Sequence, residues 1–287
     1  MIRGRLVFVT KIVITAAGKG TRLLPFTKEM PKEMMPIFSR SSKKYKKVIP
    51  LSQYIYEQLY DMGFRDYCFI VRKEKKVIEN HFKIKNINSD NLSEGYKKEM
   101  HEFFKKIKKS HFAWINQNKP LGFGHAVKQA EKFVSKEDFI VHAGDAAILS
   151  KYKHPVLRLM KASKENPDAK AILLCKKVKD SKRYGVPTVK KLSNDLYLVK
   201  EVEEKPNKPK SKLGIMPLYY FKSEIFSSLK NIKPGKGGEY QLTDAIQDLI
   251  AKKQKVLTIT LNKSEEEIDV GTVETFRHSQ EITFRKA

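Results

Sequence analysis

The sequence predicts an α/β fold: a mostly parallel mixed sheet with helices on both faces. Three observations lead there. Short apolar, β-branched runs alternate with amphipathic segments through the first half of the chain. The first of those runs leads straight into a glycine-rich basic loop, and open α/β sheets bind ligands beyond the carboxyl ends of their strands. The chain's 287 residues, 40 % of them hydrophobic, supply enough apolar surface for a large core, in one large domain or two modest ones.

Taken in order, the chain is apolar from residue 6 to 14 except at Thr10 and Lys11, and residues 12–16 read as a buried strand. "LSQYIYEQLYDMGF" puts Leu51, Tyr54, Ile55, Leu59 and Met62 on one helical face, with Gly63 as its stop. "YCFIV" is the next strand. "EGYKKEMHEFFKKIKK" carries a stripe of Tyr96, Met100, Phe103 and Ile107 opposite lysines. "HFAWIN" reads as a strand, "GHAVKQAEKFV" as a helix, and "DFIVHAGD" as a strand ending at Gly144 and Asp145. The second half is more mixed. "AILLCKKV", "GVPTVKKL", "LYLVKEVEEKP" and "LGIMPLYYF" read as strands; "SEIFSSLK" and "YQLTDAIQDLIAKK" as helices; "KVLTITL" as a strand; and a last helix follows Gly271. Residues 83–95 and 207–212 are polar and turn-rich, as surface loops are. No internal repeat and no long linker is visible.

The formal charge is +26, which raises nucleic acid as a partner. The lysines are dispersed, densest in "SKKYKK" and "KKIKK". Dispersal favours a solvated surface, or a pull on small phosphorylated ligands, over a nucleic-acid-binding arm. No apolar run approaches the ~20 residues that span a bilayer. The opening "MIRGRLVFVT" is too short and β-branched for a signal peptide and lacks a small-residue cleavage site. A cytoplasmic protein with no membrane partner is expected. Cys68 and Cys175 are isolated in apolar runs, so they read as buried free thiols without metal spacing or a disulfide framework.

The stretch "TAAGKGTRLLPFTKEMPKEMMPIF" packs small residues, Arg22 and Lys32 into one loop. Small residues let backbone approach a ligand, and glycine turns aim N–H groups at phosphate oxygens. Taken alone, G-x-G-T-R also suits an ordinary turn. It is neither the G-x-G-x-x-G dinucleotide fingerprint nor a Walker A motif.

The loop has company. "AAGKGTRLLPFTKEMPKEMMP" resembles the N-terminal motif of the sugar-1-phosphate nucleotidylyltransferases, most of all the bacterial-type UTP–glucose-1-phosphate uridylyltransferase branch. "IENHF", "QNKPLGFGHAV", "RYGV", "EEKP", "GEYQLTDAI" and "DVGT" match that family in order, from about residue 12 to about 280. The resemblance implies a Rossmann-like three-layer α/β/α nucleotidyltransferase fold in a single domain, 1–287. A nucleotide-binding half would span about 10–150 and a sugar-phosphate-binding half about 151–287. It implies Mg²⁺-assisted attack of glucose 1-phosphate on the α-phosphorus of UTP, giving UDP-glucose and pyrophosphate, in a chain that often forms homo-oligomers.

By the same resemblance, Arg22 and Lys32 are catalytic cations on the phosphates, and Gly18, Gly20 and Thr21 cradle the nucleotide. Gln117, Gly122 and the backbone near Ala16 and Ala17 hold uracil. An amide suits that task because it both donates and accepts. Gly185, Glu204 and Lys205 take the sugar phosphate, with Glu203 a rival to Glu204, since adjacent strand residues face opposite ways. Asp145 and Asp269, each at a strand end, would share the metal; Mg²⁺ usually takes one or two protein carboxylates. His125 heads a helix and reads as structural.

Two departures stand out. Pro217 replaces a glycine of many relatives, and proline has no N–H to offer a sugar hydroxyl. "GD" at Gly144 and Asp145 replaces the branch's "PD" and matches the thymidylyltransferase form. A thymidylyltransferase or broad-specificity sugar-nucleotide synthase therefore stays open. So does a non-catalytic polyanion- or nucleic-acid-binding protein on the same fold, although Arg22, Lys32, Asp145, Asp269 and Lys205 together argue against it.

Overall fold

A computed structural model describes residues 10–41, 45–84 and 93–287. The opening stretch read for a signal sequence lies outside the described residues except for Thr10. So do the first three residues of "SKKYKK" and most of the 83–95 loop.

The elements follow in chain order. β1 (Lys11–Thr15) leads through three tight turns to a hairpin of β2 (Pro36–Arg40) and β3 (Lys46–Pro50). Next come α1 (Leu51–Met62), β4 (Asp66–Val71), α2 (Lys76–His81), α3 (Glu94–Lys108) and β5 (His111–Asn116). Then follow α4 (Phe123–Lys128), α5 (Glu131–Val134), β6 (Phe139–Ala143), β7 (Ala146–Ser150) and α6 (Pro155–Glu165). The second half holds β8 (Ala169–Lys177), β9 (Gly185–Lys191), β10 (Leu196–Glu204), β11 (Leu213–Phe221), α7 (Ile225–Asn231) and α8 (Leu242–Ala251). It ends with β12 (Lys255–Thr260), β13 (Glu265–Asp269) and α9 (Val273–Lys286).

Among the described residues, nine strands form one sheet in the order β5-β4-β1-β6-β11-β8-β12-β10-β9. β5, β4, β1 and β6 are mutually parallel. β11 runs against both its neighbours, β6 and β8, and β10 runs against both of its own, β12 and β9. The other seven strands share one direction, the mostly parallel mixed sheet that was expected. The chain builds outward from β1 to β4 and β5, then returns to place β6 on the other side of β1. That reversal opens a crevice at the carboxyl ends of β1 and β6.

Both faces of the sheet are covered. Ile12 and Ile14 of β1 point into one apolar layer, with Leu51, Ile55 and Leu59 of α1 and Val156 and Leu159 of α6. Val13, between them, points into the other, with Val127 of α4, Leu229 of α7 and Ile246 of α8. All three β1 side chains are fully buried, each contributing about 1.5–3 kcal/mol on transfer from water. The uninterrupted apolar run follows from this, since a strand buried on both faces has no polar side to alternate with. Cys68 and Cys175 are buried free thiols.

The differences from expectation are local. "GHAVKQAEKFV" is two short helices, because Gln129 and Ala130 take i→i+3 bonds to Ala126 and Val127 that break the α-helical ladder. The β2–β3 hairpin and the β7–β13 pair carried too short a pattern to be singled out, and α6, whose buried face of Val156, Leu159, Ala162 and Ser163 has helical spacing, was not read from the sequence. Pro187 lies on edge strand β9, where a missing N–H costs no ladder bond. Pro217 lies in central strand β11, within the register shift between Ile215 and Tyr219, so the ladder is interrupted where the proline falls.

Candidate active site

A cleft of about 690 Å³ opens at the crevice. It is lined by Ala17, Gly18, Gly20, Thr21, Arg22, Lys32, Gln117, Gly122, Asp145, Gly185, Glu204 and Lys205. Of the residues singled out from sequence, Ala16, His125, Glu203 and Asp269 are not on the wall. Ala16 is buried just beneath it, its N–H donating to Ile70 O at 2.7 Å and so continuing the β1–β4 ladder. Asp269 stands behind Gly271, which does line the cleft and donates its N–H to Asp269 Oδ1 at 2.6 Å.

At the end of the cleft expected to take the phosphates, the glycine loop turns directly after β1 and is pinned by Thr27, whose hydroxyl donates to Gly20 O at 2.7 Å. Lys32 sits on a tight turn between Pro31 and Met35. Its ammonium reaches Asp145 Oδ2 at 2.5 Å and lies close under Gly18. Burial works against that ammonium, but the charges of Asp145 and Glu33 win and hold its pKa above the ordinary lysine value. Burial likewise disfavours the Asp145 carboxylate, yet Lys32 brings its pKa below the usual range. Both therefore stay charged near neutral pH.

The β7–β13 pair carries Asp269 to Asp145. Asp269 pairs with Ala146, the residue after Asp145, and Val270 N–H donates to Asp145 O at 3.1 Å. Burial, and then the Asp145 charge, push the Asp269 carboxyl up to about 6. Asp269 and Asp145, both partly buried, thus stand close enough for the charge of one to bear on the other. Among the described residues no three His, Cys, Asp or Glu side chains gather to cage a metal. Asp145 lines the cleft and Asp269 stands just behind it, and one or two carboxylates is the modest protein share that Mg²⁺ takes. Arg22 stands on the same side, its guanidinium near Gly271.

At the end expected to take the base, Gln117 follows β5 and is almost wholly buried, with its N–H donating to Val71 O at 2.8 Å. Its side-chain Nε2 donates to His125 Nδ1 at 2.7 Å and to Gly122 O at 3.4 Å. An amide nitrogen can only donate, so this contact needs a neutral His125 with Nδ1 unprotonated, and burial and Lys128, which lower the His125 pKa, favour the neutral ring. With both N–H groups engaged, Gln117 Oε1 is left as an acceptor for a ligand. His125, read from sequence as structural, thereby fixes which way the amide points. Gly122 has φ +112°, and a Cβ there would sit within 2.8 Å of Tyr240 O, so only glycine fits.

At the end expected to take the sugar, Gly185 opens β9 and Glu204 closes β10, and the two are register partners. Glu204 accepts from Thr243 Oγ1 at 2.7 Å and from Lys205 Nζ at 2.8 Å. Glu203 is exposed on the opposite face, which leaves Glu204 as the cleft-facing member of the pair. Pro217 lines the cleft as well.

The sequence had not pointed to the roles of Lys19, Arg183 and Thr243, which also line the cleft. Arg183 and Thr243 fall inside motifs already noticed, "RYGV" and "GEYQLTDAI"; Lys19 is the variable residue between two glycines. Glu33 was within reach too, in "PKEMMP". Its partner Lys75 carried no signal among so many lysines.

The chain is similar to known proteins over nearly its whole length. Residues 11–284 match the Nucleotidyl transferase family. The UTP–glucose-1-phosphate uridylyltransferase of Bacillus subtilis is 38 % identical over 246 residues, covering 84 % of this chain and 80 % of its own. That of Mycoplasma pneumoniae is 35 % identical over 244 residues, covering 83 % and 80 %. The crystal structure of a UDP-glucose pyrophosphorylase complexed with UDP-glucose superposes with a TM-score of 0.82 at 28 % identity, covering 98 % of this chain and all of that one.

Proposed function

The chain belongs to the nucleotidyl transferase family, and from that premise we infer that it transfers UMP from UTP to glucose 1-phosphate, releasing pyrophosphate and UDP-glucose. The observation that carries this is one cleft that gathers Arg22, Lys32, Asp145, the amide of Gln117 and the Glu204–Lys205 corner, with Asp269 just behind Gly271 of its wall. Relatives named for UTP favour it over the thymidylyl alternative. In this reading the nucleotide half is about 10–150 and the sugar-phosphate half about 151–287.

A sugar phosphate is already an anion near neutral pH, its second pKa being ~6. No general base is needed, and catalysis rests on positioning and on neutralising charge. Lys32, kept protonated by Asp145 and Glu33, presents a fixed positive charge to the phosphates. Arg22 stabilises the triphosphate and the leaving pyrophosphate. Gly18, Gly20 and Thr21 present backbone to the nucleotide. Gln117 Oε1 accepts from uracil N3–H, which rejects cytosine because its N3 is an acceptor. Glu204 accepts from sugar hydroxyls beside Gly185, and Lys205 holds the sugar phosphate. Asp145 and Asp269 would hold Mg²⁺, which when bound adds positive charge to the phosphate oxygens.

No helix among the described residues is long and apolar enough to cross a membrane. A cytoplasmic location, where UTP and sugar phosphates are at hand, belongs to this proposal, as does assembly with further copies of the chain. Pyrophosphate release tests the activity, with Mg²⁺, glucose 1-phosphate, and UTP, dTTP, CTP, ATP or GTP in separate reactions. Turnover with UTP well above the rest is expected. Equal rates with UTP and dTTP would broaden the substrate class, and silence with all five would overturn it.

A further inference from the structure

Beneath the phosphate end lies an ion pair that touches no part of the cleft with its cationic member. Glu33 directly follows Lys32 and is 1 % exposed. Lys75 reaches it from the turn after β4, 42 residues away in sequence, and donates to both carboxylate oxygens at 2.9 and 2.8 Å. Lys75 is itself 8 % exposed. Burial pushes the Glu33 carboxyl up and the Lys75 ammonium down, each opposed by the partner's charge. Glu33 also attracts Lys32, and Lys32 attracts Asp145. The Lys32 ammonium therefore feels two carboxylates, the buried Glu33 and the partly exposed Asp145, and it pairs with Asp145.

We propose that Lys75 is a positioning residue for nucleotidyl transfer: by occupying both oxygens of Glu33 it keeps the Lys32 ammonium on Asp145 and at the phosphates. The physical ground is that a buried carboxylate without a partner is costly and takes the nearest cation. With Lys75 gone, that cation is Lys32. Lys75 thus acts on the reaction without meeting substrate. A bidentate pair also fixes the turn that carries Lys32 against the turn after β4.

The inference rests on Lys32 serving the phosphates, so the wild-type protein is assayed first with UTP, glucose 1-phosphate and Mg²⁺. Wild-type turnover separates the two claims, since its absence overturns the activity itself. Lys75→Met should then lower kcat by about 100-fold, the scale of losing one charge-stabilising donor, with the KM for glucose 1-phosphate changed little. Glu33→Gln breaks the same ion pair but removes the competing carboxylate, so its kcat should stay well above that of Lys75→Met. The double variant Glu33→Gln/Lys75→Met should regain at least about tenfold over Lys75→Met. A pair that only braces the fold predicts similar losses for the two single variants and no recovery in the double. That pattern, or a Lys75→Met enzyme with normal kcat, overturns the proposal. If Lys75→Met is insoluble, Glu33→Gln against the double variant decides: turnover in the double within about tenfold of Glu33→Gln supports it, and a dead double overturns it.

Discussion

At the phosphate end of the cleft, the side chains stand on turns beyond the carboxyl ends of β1 and β6, and ion pairs hold them. Lys32 is aimed by Asp145, and Asp145 is brought to Asp269 by the small β7–β13 pair. At the sugar end, Gly185 and Glu204 are register partners within the main sheet, and the ladder itself holds them. The two ends meet different chemical demands. Negative charge is redistributed among phosphate oxygens as the reaction proceeds, and side-chain charges must follow it. Sugar hydroxyls stay neutral and want a fixed shape. Damage at the first end should therefore appear in kcat, and damage at the second in the KM for sugar phosphate.

The largest effect tests the first half of that contrast. Arg22→Ala should lower kcat by ~10²–10³ with UTP still bound, because one preformed positive group is lost where charge develops. Steady-state kinetics of pyrophosphate release checks it. A defect confined to KM would erase the distinction between the two ends.

A smaller and differently placed loss is expected at the ladder. A Cβ on Gly185 would meet Thr243 Oγ1 at 3.1 Å, Ile215 Cδ1 at 3.2 Å and Glu204 Oε2 at 3.3 Å. Thr243 Oγ1 and Glu204 Oε2 are bonded to each other at 2.7 Å, so a methyl group pressed against both should displace the Glu204 carboxylate with its partner. Gly185→Ala should raise the KM for glucose 1-phosphate by about 10-fold or more while leaving the KM for UTP nearly unchanged, since displacement of a positioning group by even ~1 Å is felt strongly. Equal rises in both constants would mean that the ladder corner also shapes the nucleotide site.

The contrast also accounts for what was legible beforehand. Apolar runs at strand period gave β1, β4, β6 and β8, because burial on both faces forces a continuous apolar string. The phosphate end was legible because its residues lie in one long motif, from Ala16 to Met35. The convergence of Asp145 with Asp269 was expected only by resemblance. The β7–β13 pair that produces it is five residues per strand, and "EEEID" has no strand-like alternation. The choice between Glu203 and Glu204 needed a register that only the pairing with β9 supplies. Lys75 was invisible, since its role depends on burial, and burial of one lysine among 58 basic residues leaves no mark in the sequence.

Between the two ends, the base recognition proposed above rests on one oriented amide. His125→Phe removes the acceptor that engages Gln117 Nε2, and the amide is then free to turn. The preference for UTP over CTP should fall by about tenfold, close to the net worth of one hydrogen bond, ~0.5–1.5 kcal/mol. Gln117→Ala should lose the preference more completely. Competition assays with mixed nucleotides read both. An intact preference in His125→Phe would mean that Gln117 is oriented by Gly122 O alone.

The smallest effect concerns Asp269, where the charge of the phosphate end is least balanced. In an unfolded chain its carboxyl loses its proton near pH 4; in the folded protein it does so at about 6. Between those values the folded chain holds the extra proton. The stability contributed by this group is therefore full below about pH 4 and is lost as pH rises through about 6. In metal-free protein, the difference in Tm between wild type and Asp269→Asn should thus drift against the wild type from pH 4 to pH 7. Added Mg²⁺ should reverse the drift, because a cation binds the ionised carboxylate and stabilises the state that holds it. The rise in Tm with Mg²⁺ should appear only as pH passes about 6, and should be largely absent in Asp269→Asn. A Mg²⁺ response that is flat with pH, or unchanged by the substitution, would leave Asp145 as the sole carboxylate of the metal and would confine adjustable charge to the Lys32 side of the cleft.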